Sequence, residues 1–430
     1  MSSGEGQRNG GGGQPEKPRN GLWGHHDFLK LWSGETVSLL GDQFTGLAFP
    51  LTAVLILHAS PGQMGVLQAV GTLPFILLGL VAGVWADRYR RRRLMILSDV
   101  SRALLLVSIP AAFLSGNLSI YLLYLVSFGT GIFTVVFDVT YQAYLPSIVE
   151  RGQLMDANGK LQASASAASV VGPSLAGGLI QFVAAPIAIL FDSLSFVWSA
   201  VSLGWICRKE APVARASRKP IVEEIKEGLA IVLRNDNLRS IAGCTATSNL
   251  FTSMIGAVMI LYAVNILGMP PFLIGAMLAL GSIGSLLAAL IAARLATRVD
   301  VGWLIILSAA IFSCAWLLAI PALPPYGSYF LILAFFLVSF GGVVYNVNQV
   351  SYRQALVPVK LQGRLNATMR FIVWGTMHVG SLIGGTVGQA FGLYPALVVG
   401  AVGGASAFLW VLFSPVRHVK AIPTAPEVGE

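Results

Sequence analysis

Residues 68–88, QAVGTLPFILLGLVAGVWADR, recur without a gap as residues 278–298, LALGSIGSLLAALIAARLATR. The overlay sets Gly71 on Gly281, and the same offset of 210 sets Pro61 on Pro271. Further along, Gln142, Ala143 and Pro146 match Gln354, Ala355 and Pro358 at 212, and Ala157, Asn158, Gly172 and Gly177 match Leu365, Asn366, Gly380 and Gly385 at 208. The offsets keep one order and nearly one size, so the chain reads as a parallel duplication. Each copy of the opening stretch is apolar over about 20 residues, the length of helix that crosses a bilayer.

Composition extends that reading to the whole chain. Of 430 residues, 55% are hydrophobic and only 11% are Asp, Glu, Lys or Arg, less than half of the about 25% usual for a soluble domain. The mean hydropathy is +0.74. A β-barrel would show segments of about 10 residues alternating in polarity, and no such alternation occurs. Apolar runs and their Gly/Pro punctuation predict twelve helices, near 33–57, 64–86, 93–114, 119–141, 159–182, 186–207, 240–267, 272–295, 301–320, 328–350, 367–390 and 395–414. The expected fold is an all-α membrane protein of two pseudo-symmetric six-helix bundles.

Charge then orients the chain. The 28 Lys and Arg are assigned to the termini and the even-numbered connections, while the odd connections (59–63, 115–118, 183–185, 268–271, 321–327 and 391–394) carry no charge. The positive-inside rule puts the basic side in the cytoplasm, with both termini. The net charge of +9 is therefore an orienting signal and not a nucleic-acid footprint. The expected organisation is a disordered cytoplasmic tail over 1–24, with no signal peptide, a first bundle over 25–207, a linker over 208–238, a second bundle over 239–414 and a tail over 415–430. Within the linker, Ile221, Ile225, Leu229 and Val232 share one helical face. That face suits an interfacial amphipathic helix, and a solvated linker helix is the other reading. Cys207, Cys244 and Cys314 have no metal-ligand spacing, so no metal or other cofactor is expected.

The connection after the second helix reads Gly83, Val84, Trp85, Ala86, Asp87, Arg88, then Tyr89 and Arg90 to Arg93. It resembles motif A of the major facilitator superfamily, with Arg90 in place of a glycine. The fifth helix carries Gly172, Pro173, Gly177 and Gly178, which resembles motif C of the antiporters of that superfamily, with Ala176 for one glycine. Residues 28–32 and 38–42, Ser98, Asp99 and Arg102, Phe137 and Asp138, and residues 192–196 extend the likeness to one branch, the transmembrane secretion effectors, which includes enterobactin exporters and macrolide-efflux relatives. The resemblance implies a transporter that alternates access to a central site by rocking one half on the other. It also implies a cytoplasmic latch of Gly83, Asp87, Arg88 and Arg91 with Asp138, an acid expected to end the fourth helix. Anchoring by the arginines alone is the blander reading of motif A.

Asp42 falls about 15 Å into the first helix, near the bilayer midplane, and no basic side chain is expected at that depth. An ionised carboxylate without a partner there is costly, so Asp42 is the candidate proton-coupling group; a packing carboxyl is the alternative. His378 is a second proton candidate or a packing residue, and Asp192 is open between packing and function. Gln43, Asn249, Tyr345, Asn346, Gln349 and Trp374 are candidates to line a substrate cavity suited to a bulky amphiphile. The expected function is proton-coupled export of a hydrophobic or amphiphilic small molecule, of the drug or siderophore class, by a multi-pass and monomeric protein of the cell inner membrane. Uptake by the same fold and a transport-inactive sensor are the rivals. Neither a His-Glu-x-x-His set nor an ATP-binding loop occurs in the sequence, so an enzyme is not expected.

Overall fold

The computed structural model describes residues 22–207 and 229–421. Twelve of its helices are long and apolar enough to cross a membrane. The first half comprises α1 (His26–Leu51, continued by a π-helical turn over Thr52–Ile56), α2 (Pro61–Arg88), α3 (Arg91–Leu114), α4 (Ile120–Ile148), α5 (Leu154–Phe182) and α6 (Ala185–Gly204). The second comprises α7 (Asp236–Asn265), α8 (Pro271–Ala296), α9 (Val301–Cys314, continued by a 3-10 turn over Ala315–Ala319), α10 (Gly327–Leu356), α11 (Val359–Phe391) and α12 (Leu393–Ala405).

Local chemistry sets the helix ends. Ser60 and Gln63 form a capping box at the start of α2, with Pro61 in its first turn. At the end of α6, Arg92 Nε donates to the Leu203 carbonyl at 2.7 Å and Lys30 Nζ donates to the Trp205 carbonyl at 2.7 Å. Cations there add hydrogen bonds to the last carbonyls of the helix and face the negative end of the helix dipole.

The helices run past the expected spans on the basic side. The first, fifth, seventh and eleventh begin at His26, Leu154, Asp236 and Val359, and the fourth and tenth continue to Ile148 and Leu356. An apolar run stops at the first cluster of charges, whereas backbone hydrogen bonding continues into water. Arg353, assigned from sequence to a connection, is instead buried in the last turn of α10 and donates to Asn366 Oδ1 at 3.1 Å. Of the linker helix, 221–228 lies outside the described residues, as do 1–21 of the first tail and 422–430 of the last. Residues 229–234 are helical, and Val232 packs with Leu238, Leu365 and Met369.

The duplication is visible in three dimensions. In the first half α1 packs on α5 and α6, α2 on α4, and α3 on α4 and α6; in the second α7 packs on α11 and α12, α8 on α10, and α9 on α10 and α12. The turns into α2 and α8 repeat bond for bond. Leu57 N donates to Thr52 O at 3.2 Å and Ala59 N to Ala53 O at 2.9 Å; Leu267 N donates to Tyr262 O at 3.1 Å and Met269 N to Ala263 O at 2.9 Å. His58 and Gly268 hold the same place in these turns, with φ of 49° and 62°.

The halves meet along two arms that the duplication exchanges, α2 against α11 and α5 against α8. At each arm a glycine from one half faces a glycine from the other: a Cβ on Gly65 would stand 2.8 Å from the Gly385 Cα, and one on Gly177 would stand 3.1 Å from the Gly275 Cα. Small residues let helices approach this closely where lipid offers no hydrophobic drive to associate. These contacts lie at the end with the uncharged connections. One apolar cluster joins both halves there, from Leu47, Ala176 and Ile189 to Ile255, Ile274 and Ala401. Toward the basic end the clusters belong to one half each, around Phe28 and Tyr144 in the first and around Ile305 and Tyr352 or Val232 and Leu365 in the second.

Candidate functional site

Asp42 on α1, Arg102 on α3 and Asp192 on α6 line a cavity of about 200 Å³, walled by Phe75, Phe196 and the hydroxyls of Thr45, Ser127, Thr130 and Thr134. Gly41 permits the convergence of α1 and α6, because a Cβ there would lie 2.5 Å from the Asp192 Oδ1. Asp192 is fixed by its own helix, with Ser195 Oγ donating to its Oδ1 at 3.1 Å and to its carbonyl at 2.8 Å.

Arg102 is the centre of the site. Its side chain is buried, forms an ion pair with Asp99 one turn away, and lies over the rings of Phe137 at 4.5 Å and Phe196 at 4.0 Å. Two aromatic faces and a carboxylate replace the water that the guanidinium gives up. Arg102 Nε and Asp99 Oδ2 nevertheless have no hydrogen-bond partner among the described residues. The charge of Arg102 acts on five carboxylates, those of Glu35, Asp42, Asp99, Asp138 and Asp192.

Two expectations are corrected here. Sequence reading held that no basic side chain reaches the depth of Asp42; Arg102 stands mid-way along α3 and shares its cavity. Assigning every arginine to a connection assumed that none is buried, which the aromatic sandwich makes possible. Asp138 was expected to end the fourth helix; α4 continues ten residues beyond it to Ile148, about 15 Å of helix, so that Asp138 belongs to the neighbourhood of Arg102. Arg91 donates to the Ala143 carbonyl at 2.9 Å. Gly83 and Asp87 lie in α2, and their surroundings fall outside the described residues. Arg88 is exposed at the end of that helix.

The other candidates divide between the bundles and their interface. Gln43 packs against Gly172 of α5. Pro173 presents its carbonyl to Gly275 and Gly177 meets the backbone of α8, whereas a Cβ on Gly178 would first meet Phe272 at 4.0 Å. Asn249 donates to the carbonyl of Thr245 on its own helix at 2.8 Å. Tyr345 is buried inside the second bundle, its hydroxyl 3.0 Å from Thr245 Oγ1 and its ring tilted at 45° to that of Phe312. Gln349 is buried beside it and donates to Asn346 Oδ1 at 3.1 Å. Asn346 itself is exposed, and the offset of 212 pairs it with Thr134 of the cavity wall. Trp374 on α11 stacks on Phe75 of α2, centroids 4.5 Å apart. His378 on α11 meets Thr72 on α2, Nε2 to Oγ1 3.1 Å, and its Nδ1 meets the Trp374 carbonyl. Sequence reading left Phe75 and Thr72 unmarked and cited Phe137 and Phe196 only for the family resemblance, since nothing in a run of apolar residues marks which aromatic ring will face a charge.

The charged site has no counterpart in the second half. At the offset of 210, Glu35, Asp42, Asp99 and Arg102 fall on Thr245, Thr252, Ala309 and Phe312; Asp138 falls on Val350 at 212. Pro186 matches Pro395 at 209, which sets Asp192 on Ala401. The framework is duplicated and the ionisable centre is not.

Comparison with known proteins agrees with this architecture. The chain is 30% identical over 274 residues to the MFS-type transporter YfiS of Bacillus subtilis, covering 62% of this chain and 64% of that relative. It is 25% identical to macrolide efflux protein A of Streptococcus pyogenes, covering 49% of this chain and 52% of that protein. The chain thus spans about half to two-thirds of the length of these two relatives. A match to the multidrug efflux pump Tap of Mycobacterium bovis, at 24% identity, covers 85% of this chain and 88% of that one. Among solved structures, a bacterial homologue of the iron transporter ferroportin, in an inward-facing state, superposes with a TM-score of 0.69 at 16% identity over 90% of this chain and 98% of that one. The nucleoside transporter NupG superposes with a TM-score of 0.69 at 12% identity over 91% of this chain and 99% of that one. These two likenesses concern the fold. The profile of the family described as transmembrane secretion effector matches residues 23–428, and the chain belongs to that family, multi-pass membrane proteins of the major facilitator type.

Proposed function

We propose that this transporter is a proton-coupled exporter of amphiphilic small molecules, of the drug or siderophore class, that loads its substrate from the cytoplasm. The observation that carries the reading is the pairing of carboxylates with aromatic walls: Asp42 and Asp192 share one cavity with Phe75 and Phe196. An apolar body rests on the rings while a polar or cationic head meets the acids. At about 200 Å³ the cavity is smaller than the roughly 300–1,000 Å³ of a drug-sized site, so it takes a head group and the remainder of the molecule lies between the bundles.

Exchange follows from electrostatics. A carboxylate on Asp42 holds the head group; a proton on Asp42 removes that charge and weakens the hold. A single site served by substrate and proton in turn gives antiport. Closure at the uncharged end and separate cores at the basic end support loading from the basic side, which the positive-inside rule assigns to the cytoplasm with both termini, in the inner membrane. In this reading residues 25–207 and 239–414 rock as two bodies, tied by 208–238. The relatives named as efflux proteins support export over uptake.

Inverted membrane vesicles supplied from outside, their cytoplasmic face, with a lipophilic fluorescent dye test the proposal. Asp42→Asn is expected to abolish the acceleration of transport by an imposed proton gradient while preserving downhill dye exchange. Gradient-driven transport equal to that of the wild type would overturn the assignment.

A further inference from the structure

From the geometry of His378 we infer that the His378–Thr72 pair is a proton-binding site shared by the two bundles, distinct from the carboxylates around Arg102 and built so that both protonation states are hydrogen-bonded without movement of the backbone.

The argument starts from what each ring nitrogen faces. Nδ1 of His378 meets the carbonyl of Trp374, one turn back on α11. A carbonyl only accepts, so Nδ1 carries a hydrogen in every state of the ring. Nε2 meets the Thr72 hydroxyl of α2 at 3.1 Å, and a hydroxyl both donates and accepts. In the neutral ring, Thr72 O–H donates to the Nε2 lone pair. When a proton binds at Nε2, the new N–H donates to Thr72 Oγ1, and the Thr72 hydroxyl turns to a carbonyl of its own helix. Two carbonyls stand ready for it, Gln68 O at 3.1 Å and Ala69 O at 3.3 Å. One proton is gained, no bond is broken except a hydrogen bond, and no buried donor is left without an acceptor. An orphaned buried polar group costs about 1–3 kcal/mol, and more when charged, so a site that avoids it in both states is suited to taking up and releasing a proton.

The surroundings hold no competing ionisable partner among the described residues. α11 packs on α2, α7 and α12. Their titratable groups are Arg88 on α2, Asp236, Arg239, Cys244 and Tyr262 on α7, and Tyr394 on α12; on α11 itself Arg364 and Arg370 lie two or more turns toward the basic end. Asp87 and Lys360 have side chains outside the described residues. None of the described groups hydrogen-bonds His378, whose polar contacts are Thr72 and the Trp374 carbonyl. Bulk water does not serve the ring in this state either, since His378 is 8% exposed.

The place of the pair gives it a role. It lies on the α2–α11 arm, beside the stack of Phe75 on Trp374, and Phe75 also walls the cavity of Asp42. Parting of this arm takes Thr72 away from Nε2 and leaves the ring to water, so that proton occupancy of His378 depends on which way the bundles have rocked. This inference concerns proton binding itself and holds whether or not Asp42 couples export to the proton gradient.

The test is nitrogen-15 NMR of histidine-labelled full-length protein in lipid nanodiscs, with the His378 signals assigned by their loss in His378→Gln. The expected result is a neutral form protonated at Nδ1, the tautomer less favoured in water, that converts reversibly to the doubly protonated ring as the pH is lowered. Thr72→Ser is expected to keep both forms, and Thr72→Val to lose the doubly protonated form under the conditions in which the wild type shows it, while its size-exclusion profile stays that of the wild type. A neutral form protonated at Nε2, an absence of titration, or a Thr72→Val titration equal to that of Thr72→Ser would overturn the inference. Asp42→Asn should leave these signals unchanged, which separates this site from the proposed coupling carboxylate.

Discussion

A single methyl group at Gly385 should tip the balance between the two faces of the transporter. A Cβ built on Gly385 stands 2.9 Å from the Gly65 Cα and 2.9 Å from the Pro61 carbonyl oxygen, where ordinary contact begins near 3.4 Å. Both obstacles are backbone atoms, which no rotamer change moves aside, so α2 and α11 must separate by about half an ångström. Overpacking of this kind costs about 1–3 kcal/mol. The cost falls only on the state in which the uncharged end is closed, so the ratio of the two states should shift about 5- to 150-fold toward opening at that end. Gly177→Ala acts on the other arm, where its Cβ would stand 2.6 Å from the Pro271 carbonyl oxygen and 3.1 Å from the Gly275 Cα. The two arms use different helices, and their effects should add. The assay is labelling of Thr134→Cys, a cavity position, by a membrane-impermeant maleimide from each side of oriented vesicles, in a Cys207→Ser background because Cys207 is the exposed native cysteine. Gly46→Ala, with nothing within 4 Å of the added atom, is the control. An unchanged ratio of the two labelling rates in a folded Gly385→Ala protein would refute the reasoning, as would a shift toward the basic side.

Arg102→Met removes the cation from the buried pair and leaves Asp99 without its counter-charge, which should lower stability by about 3–5 kcal/mol; thermal unfolding in detergent should show that loss and its partial recovery when Asp99→Asn is added. The equivalent turns at His58 and Gly268 should respond in opposite senses. Gly268→Ala, at φ 62°, should cost about 1 kcal/mol, whereas His58→Gly, at φ 49°, should be neutral or stabilising by the same thermal measurement. The proton-gradient dependence of Asp42→Asn and the histidine NMR of the Thr72 variants complete the set.

The fold was legible because duplication, apolar length and charge asymmetry each leave a one-dimensional trace. Gly65 and Gly275 stand 210 residues apart and Gly177 and Gly385 stand 208 apart, so the two closing contacts were already related in the chain before the structure joined Gly65 to Gly385 and Gly275 to Gly177. The site was legible only in part. Asp42 stood out as a charge within an apolar run, and Asp99 and Arg102 entered as part of the family resemblance. The depth of Arg102 was misjudged because its burial depends on Phe137 and Phe196, which lie on other helices and look like any other membrane aromatic. Tyr345 and Gln349 were proposed for a cavity from residue type, yet helix rotation turns them into the second bundle and leaves Asn346 exposed.

The contrast between framework and site bears on how such a duplicated transporter divides its work. The arms that close the uncharged end are two-fold symmetric down to the glycines, as the proposed rocking would require if it makes and breaks equivalent contacts in both halves. Ionisable chemistry has no such requirement. Five carboxylates and one arginine in the first half correspond to Thr245, Thr252, Ala309, Phe312, Val350 and Ala401 in the second, so the ionisable groups of this site belong to the first bundle. In the proposed exchange, proton or cation binding at these groups would alter the energy of one bundle alone. It moves the balance between the two closed arms only through contacts that cross the interface, and the crossing that adjoins the charged cavity runs from Phe75 through Trp374 to His378. A symmetric hinge driven by an asymmetric charge therefore needs that crossing to be intact.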